Sequence, residues 1–120
     1  MKPTDIKLHQ VSRILELSFE DGSVFKLPTE FLRVHSPSAE VQGHGPGQEV
    51  LQVGKEDVNI VSIEPMGHYA VKLVFDDNHN SGLYSWSLLH DLGLNYEEKW
   101  QAYLARLEAA GHQRKERPVI

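Results

Sequence analysis

Seven histidines give this chain its widest chemical range: His9, His35, His44, His68, His79, His90 and His112. Imidazole binds transition metals and moves protons near neutral pH. No two of the seven stand four residues apart, so no helix face carries a ready zinc pair. His35, His44 and His79 are the candidate ligands. The first two flank a Pro/Gly-rich stretch, and the third follows an acidic pair. Glu40, Asp76 and Asp77 are near enough in sequence to add oxygen donors. A set this rich in nitrogen favours zinc, nickel or iron over calcium. The plainer reading is that scattered loop histidines face solvent.

Other patterns carry less. Asp76-Asp77-Asn78-His79-Asn80 lacks the register of a calcium loop and its distal Glu. Ser36, Ser38, Ser81, Ser85 and Ser87 have no G-x-S-x-G elbow around them, and sequence assigns none of them a base. Gly43-His44-Gly45-Pro46-Gly47 lacks a G-K-[ST] ending, and Pro46 removes an N–H that a phosphate cradle would use. With no cysteine, disulfides, thiolate ligands and thiol nucleophiles are all excluded. The chain is therefore expected not to be an enzyme.

These residues need a scaffold, and 120 residues suffice for one domain. A chain of this size buries roughly 65% of its unfolded surface. The net charge of −5 argues against nucleic acid or an anionic membrane as partner. The first residues lack the apolar run of a signal peptide, and no stretch approaches the roughly 20 residues of a membrane span. The expected location is the cytoplasm.

Alternation at Ile6–Leu8 and Ile14–Phe19 predicts strands. Asp21-Gly22 predicts a tight turn, with Val24–Leu27 returning and Pro28 ending the strand. Thr29 is the expected N-cap of a short helix near residues 30–34. This helix runs into Pro37, and residues 36–47 read as loop. Asn59–Glu64 and Tyr69–Phe75 predict a second hairpin with its turn at Pro65–His68. Leu17-Ser18-Phe19-Glu20-Asp21 is echoed by Leu73-Val74-Phe75-Asp76-Asp77. Each predicts a strand, an acidic turn, a strand and a helix, the second helix over Trp86–Leu92. Tyr96, Trp100, Tyr103, Leu104 and Leu107 form one stripe of a C-terminal helix, opened by Asn95 and stopped by Gly111. Trp86 and Trp100 are expected in the core, with Tyr96 or Tyr103 partly exposed. The expected fold is a small α+β domain over residues 1–112, with antiparallel hairpins packed on short helices. Residues 113–120 are expected to be a solvated tail.

Leu32-Arg33-Val34-His35-Ser36-Pro37-Ser38-Ala39-Glu40, Asp57-Val58-Asn59-Ile60 and His79-Asn80-Ser81-Gly82-Leu83-Tyr84-Ser85-Trp86 resemble the gamma-butyrobetaine hydroxylase-like N-terminal domain. The resemblance covers roughly residues 6–93. That domain occurs as a stand-alone small bacterial protein of undefined function, ahead of the catalytic domain of carnitine-synthesis hydroxylases, and fused to iron–sulfur carrier ATPases. In the hydroxylases it carries a structural zinc on three cysteines and one histidine. Carried over, the cysteine positions are Ser36, Ser38 and Val41, and the histidine is His79. Only His79 matches.

The resemblance implies a non-catalytic accessory domain that docks a protein partner in an oxygenase or iron–sulfur setting. The expected docking surfaces are the His35–Gly47 loop and the second hairpin turn. The alternative is a metal-binding protein with a histidine-based zinc or iron site on His79 with His35 or His44.

Overall fold

The computed structural model describes residues 1–115. Two three-stranded antiparallel sheets, each a simple meander, carry four helices. In the first sheet β1 (Pro3–His9) pairs with β2 (Ile14–Phe19), and β2 with β3 (Val24–Pro28). Burial alternates along β2, which sends Leu15, Leu17 and Phe19 inward. The turn into β3 is set locally. Gly22 takes a φ of +86°, and the Asp21 carboxylate accepts the Ser23 N–H at 2.9 Å. Pro28 ends β3, and α1 (Thr29–Val34) follows at once.

The unit then repeats. β4 (Ile60–Met66), β5 (Ala70–Phe75) and β6 (Leu83–Ser85) form the second meander, and α3 (Trp86–Leu94) follows β6. Even the acidic turns match: the Phe19 N–H donates to the Ser23 carbonyl, and the Phe75 N–H to the His79 carbonyl. The echo in the sequence is thus an echo in structure. The two units share one core. Leu15, Leu17 and Phe19 of the first sheet join Leu73 and Phe75 of the second, with Phe31, Tyr84 and Leu89 in the same cluster. α4 (Tyr96–Ala109) closes the fold and buries Tyr103 and Leu107.

All six residues of α1 are buried, charged ones included. Its end is pinned from the second unit: the Tyr84 hydroxyl donates to the Leu32 carbonyl at 2.6 Å. That carbonyl belongs to the last turn of α1, where helices leave acceptors without partners.

Several elements differ from expectation. Thr29 is the first helical residue, not the cap; its hydroxyl donates instead to the Val58 carbonyl at 2.7 Å. Pro65 lies inside β4, opposite Val71, because β4 is an edge strand with one side free of ladder bonds. The turn is therefore later, at Gly67–Tyr69. Residues 36–47 contain a short helix, α2 (Ala39–Gln42), whose N-cap is Ser38. Asn95 caps α4 by position only; its amide bonds Asp91. Trp86 and Trp100 are half-buried at the rim of the core rather than within it; of the two tyrosines Tyr96 is the partly exposed one, as expected, and Tyr103 is buried. The segment expected as a solvated tail docks at its start. Arg114 pairs with buried Glu30, because a buried carboxylate needs a cation. Residues 116–120 lie outside the described residues.

Replacing Tyr84 by Phe keeps the packing and removes the bond to Leu32. We expect Tyr84→Phe to lose about 1–2 kcal/mol in urea unfolding, with the m-value unchanged.

Candidate functional site

The turn between α1 and α2 faces the turn between β5 and β6, and His79 sits where they meet. Its side chain is 1% exposed. Nδ1 lies 2.9 Å from a Glu40 carboxylate oxygen, and Nε2 lies 2.8 Å from the Ser36 hydroxyl. One protonation pattern satisfies every partner. Nδ1–H donates to Glu40, and Nε2 accepts the Ser36 O–H. The Ser36 oxygen in turn accepts the Ser38 N–H at 3.2 Å.

A second loop of bonds closes on the same carboxylate. The Glu40 N–H donates to the Ser38 hydroxyl at 3.2 Å, as an N-cap requires. Ser38 and Ser81 share a bond of 2.7 Å, and Ser81 donates to the other Glu40 oxygen at 3.2 Å. The hydrogen bonds from His79 and then Ser81 hold the Glu40 carboxyl below its usual value of 4.5. Gly82 completes the fit. A Cβ there would stand 2.5 Å from the Ser36 oxygen.

Ser36, His79 and Glu40 follow the order of a nucleophile, base and acid. No base could be assigned to any serine from sequence, and the structure places His79 beside Ser36. Burial runs against nucleophilic chemistry, however. Ser36 is wholly enclosed, while Glu40 is the exposed member. An acyl substrate has no route to the Ser36 oxygen.

The structure places the three candidate histidines apart. His79 meets Glu40 and Ser36. His35 turns its Nδ1 to the Phe31 carbonyl at 2.9 Å and packs on the Phe31 and Tyr103 rings. Burial, and then the charges of Lys99 and Arg106, hold its pKa below 6.5 against the effect of that bond. His44 is exposed. Asp76 accepts the Asn59 N–H, and Asp77 takes Arg33 and Lys55 at 2.9 and 2.6 Å. Burial would raise the Asp77 carboxyl, but the Lys55 bond and the Arg33 charge outweigh it and hold it low. Among the described residues, no three His, Asp or Glu side chains are grouped to hold a metal ion. The zinc implied by the resemblance also lacks a fit. Serine hydroxyls are poor zinc ligands, Val41 offers none, and both His79 nitrogens are engaged.

The His35–Gly47 loop is bound through this network to the β5–β6 turn, whereas the second hairpin turn, at residues 67–69, stays exposed. Beside that turn a groove stands open. Lys2, Ile6, Ile63, Pro65, Val71 and Trp86 line a largely apolar groove of about 370 Å³. It lies between β1 and β4, each an edge strand of its sheet, with Val71 of β5 and Trp86 of α3 behind them. Its rim is firm, because the Trp86 indole N–H donates to the His68 carbonyl at 2.7 Å. Nearby on the β4–β5 hairpin, Met66 and Tyr69 are 38% and 70% exposed. No helix among the described residues is long and apolar enough to cross a membrane.

Comparison with known proteins gives one consistent picture. The family model described as gamma-butyrobetaine hydroxylase-like, N-terminal, matches residues 6–90. Two NMR solution structures are similar along nearly the whole chain. One is 48% identical with a TM-score of 0.82, covering 98% of this chain and 93% of the other. The second is 56% identical with a TM-score of 0.80, covering 94% and 84%. A crystal structure from Acidithiobacillus ferrooxidans is 37% identical with a TM-score of 0.64, covering 76% and 91%. It is described as a protein of unknown function in the DUF971 family. No curated protein matches the chain.

The lowered Glu40 carboxyl sets a pH dependence. A carboxyl depressed in the folded state adds stability above its unfolded value, and this is lost as pH falls through the folded value. Thermal midpoints of wild type and Glu40→Gln, scanned from pH 7 to 3, should differ by a constant gap above about pH 5. The gap should narrow below the ordinary value of 4.5. A gap independent of pH would contradict the assignment.

Proposed function

The chain belongs to the gamma-butyrobetaine hydroxylase-like N-terminal domain family, and on that footing we propose that it is a non-catalytic accessory domain that docks a protein partner. The apolar groove between β1 and β4 carries this reading. Firm concave apolar surfaces beside exposed large side chains are typical of protein–protein contact sites. Trp86 forms one wall, and Met66 and Tyr69 extend the surface beyond it. Lys2 lines the same groove, so the fitting occupant is a partner segment with an apolar side chain flanked by a carboxylate. The resemblance directs the search for that partner to oxygenase and iron–sulfur systems.

Capture from cells at native expression tests this with three baits: wild type, the double variant Met66→Asp/Tyr69→Asp, and Leu94→Asp. Leu94 is also exposed and apolar but belongs to α3, away from the groove lining. The same partner should be recovered with wild type and Leu94→Asp, and depleted about tenfold or more with the double variant. Recovery of nothing above background would overturn the proposal. So would a partner equally bound by all three baits.

A further inference from the structure

After α4, Gly111 takes a φ of +77°, and the His112 N–H caps the Leu107 carbonyl at 2.9 Å. The chain then turns back and crosses α1. Here the Arg114 guanidinium meets Glu30 side by side. Nε donates to one carboxylate oxygen at 2.8 Å and Nη2 to the other at 2.5 Å. The same guanidinium lies over the Trp100 ring, 5.2 Å from its centroid. One residue later, the Lys115 N–H donates to the Glu56 carboxylate at 2.7 Å.

The receiving surface is built, not incidental. The Glu30 side chain is 4% exposed, and Glu56 is 9% exposed as a residue. Among the described residues, Arg114 is the hydrogen-bond partner of the Glu30 carboxylate. These exposures hold with residues 112–115 in place; Glu30 belongs to α1, all six of whose residues are buried, so removing its counter-charge would strand the carboxylate. With a guanidinium present, a planar carboxylate takes the fork and the indole takes the flat face. Tyr103 reports the local field. Burial first, and then Glu30 and Glu56, push its phenol up to about 12.

Among the described residues, side-chain hydrogen bonds anchor this segment at Arg114 and Lys115 alone. It borders an open groove of about 410 Å³ lined by Leu104, Leu107, His112 and Arg114 among others. Apart from the fork and the Lys115 N–H, it adds an exposed ion pair between Lys115 and Asp57 at 3.2 Å. Such surface pairs contribute little.

We propose that Glu30, Glu56 and Trp100 form an arginine-recognition site which the chain fills with its own Arg114. An arginine-bearing segment of a partner protein takes the site by displacing that strap. The tethered Arg114 acts as a competitor at high effective concentration, so the site is closed until the strap is released. The site shares no residue with the groove between β1 and β4, and either stands without the other.

The test uses the full chain carrying Arg114→Ala and the probe acetyl-arginine methylamide, which supplies a guanidinium and the following amide N–H. Binding is followed by amide and indole shifts in NMR and by the thermal midpoint. The probe should bind the variant saturably and raise its midpoint. It should bind wild type about tenfold or more weakly. Acetyl-lysine methylamide, which lacks the fork, should bind the variant about tenfold or more weakly too. Glu30→Gln added to Arg114→Ala should abolish binding. No saturable binding to the folded variant would overturn the proposal, as would equal binding of the two probes. If Arg114→Ala does not fold, Arg114→Lys keeps the charge and gives up the fork. The arginine probe must then bind Arg114→Lys more tightly than wild type, and equal binding overturns the proposal.

Discussion

A buried imidazole must have both nitrogens satisfied by the protein, and at His79 this constraint ties the molecule together. Its partners come from one direction, Ser36 and Glu40 around the start of α2, while His79 itself stands in the turn after β5. The contact therefore spans the two repeated units. It fixes the path of the loop after α1, gives Ser38 a partner in Ser81, and leaves no room for a Cβ at Gly82. In the related hydroxylases the resemblance places a zinc ion at these positions. Here neutral and charged hydrogen bonds make the same crosslink without thiolates. A network of this kind holds only if every member is satisfied, and around His79 one protonation pattern satisfies each.

The same logic runs along α1. A helix of six residues is too short to be stable alone, so its stability comes from burial on all sides. Burial on all sides forces each charged residue of that helix to find a distant partner. Arg33 finds Asp77 across 44 residues, and Glu30 finds Arg114 across 84. Thr29 and Leu32 likewise bond to Val58 and Tyr84. Polar contacts of high sequence separation thus gather the second unit and the C-terminal strap around one short helix.

What sequence could reveal follows from range. The β2–β3 hairpin was legible because its signals are local: strict alternation, Asp21-Gly22, and a terminating Pro28. The repeat was legible because strand and acidic turn recur in the same order. Pro65 misled because a proline argues against a strand, yet an edge position tolerates it. α2 has four residues, and its signal was the cap at Ser38 rather than any periodicity. The candidate site was legible at one point only. The resemblance put Ser36, Ser38 and His79 at one location, and they do meet, but as a hydrogen-bonded network. The separation of His35 from it depends on packing against Phe31 and Tyr103, which no spacing rule encodes, and His44 stays exposed. Arg114 was hidden in a charge run that reads as solvated until Glu30 and Trp100 are seen beneath it.

The most direct test of the hydrogen-bonded crosslink is the unfolding free energy of the untagged protein before and after exhaustive chelation, with metal content measured on the same samples. The crosslink predicts the same free energy in both, because nothing in Ser36, Ser38, Val41 and His79 depends on an ion. Near-stoichiometric metal, removed by the chelator together with several kcal/mol of stability as for a structural zinc, would contradict it.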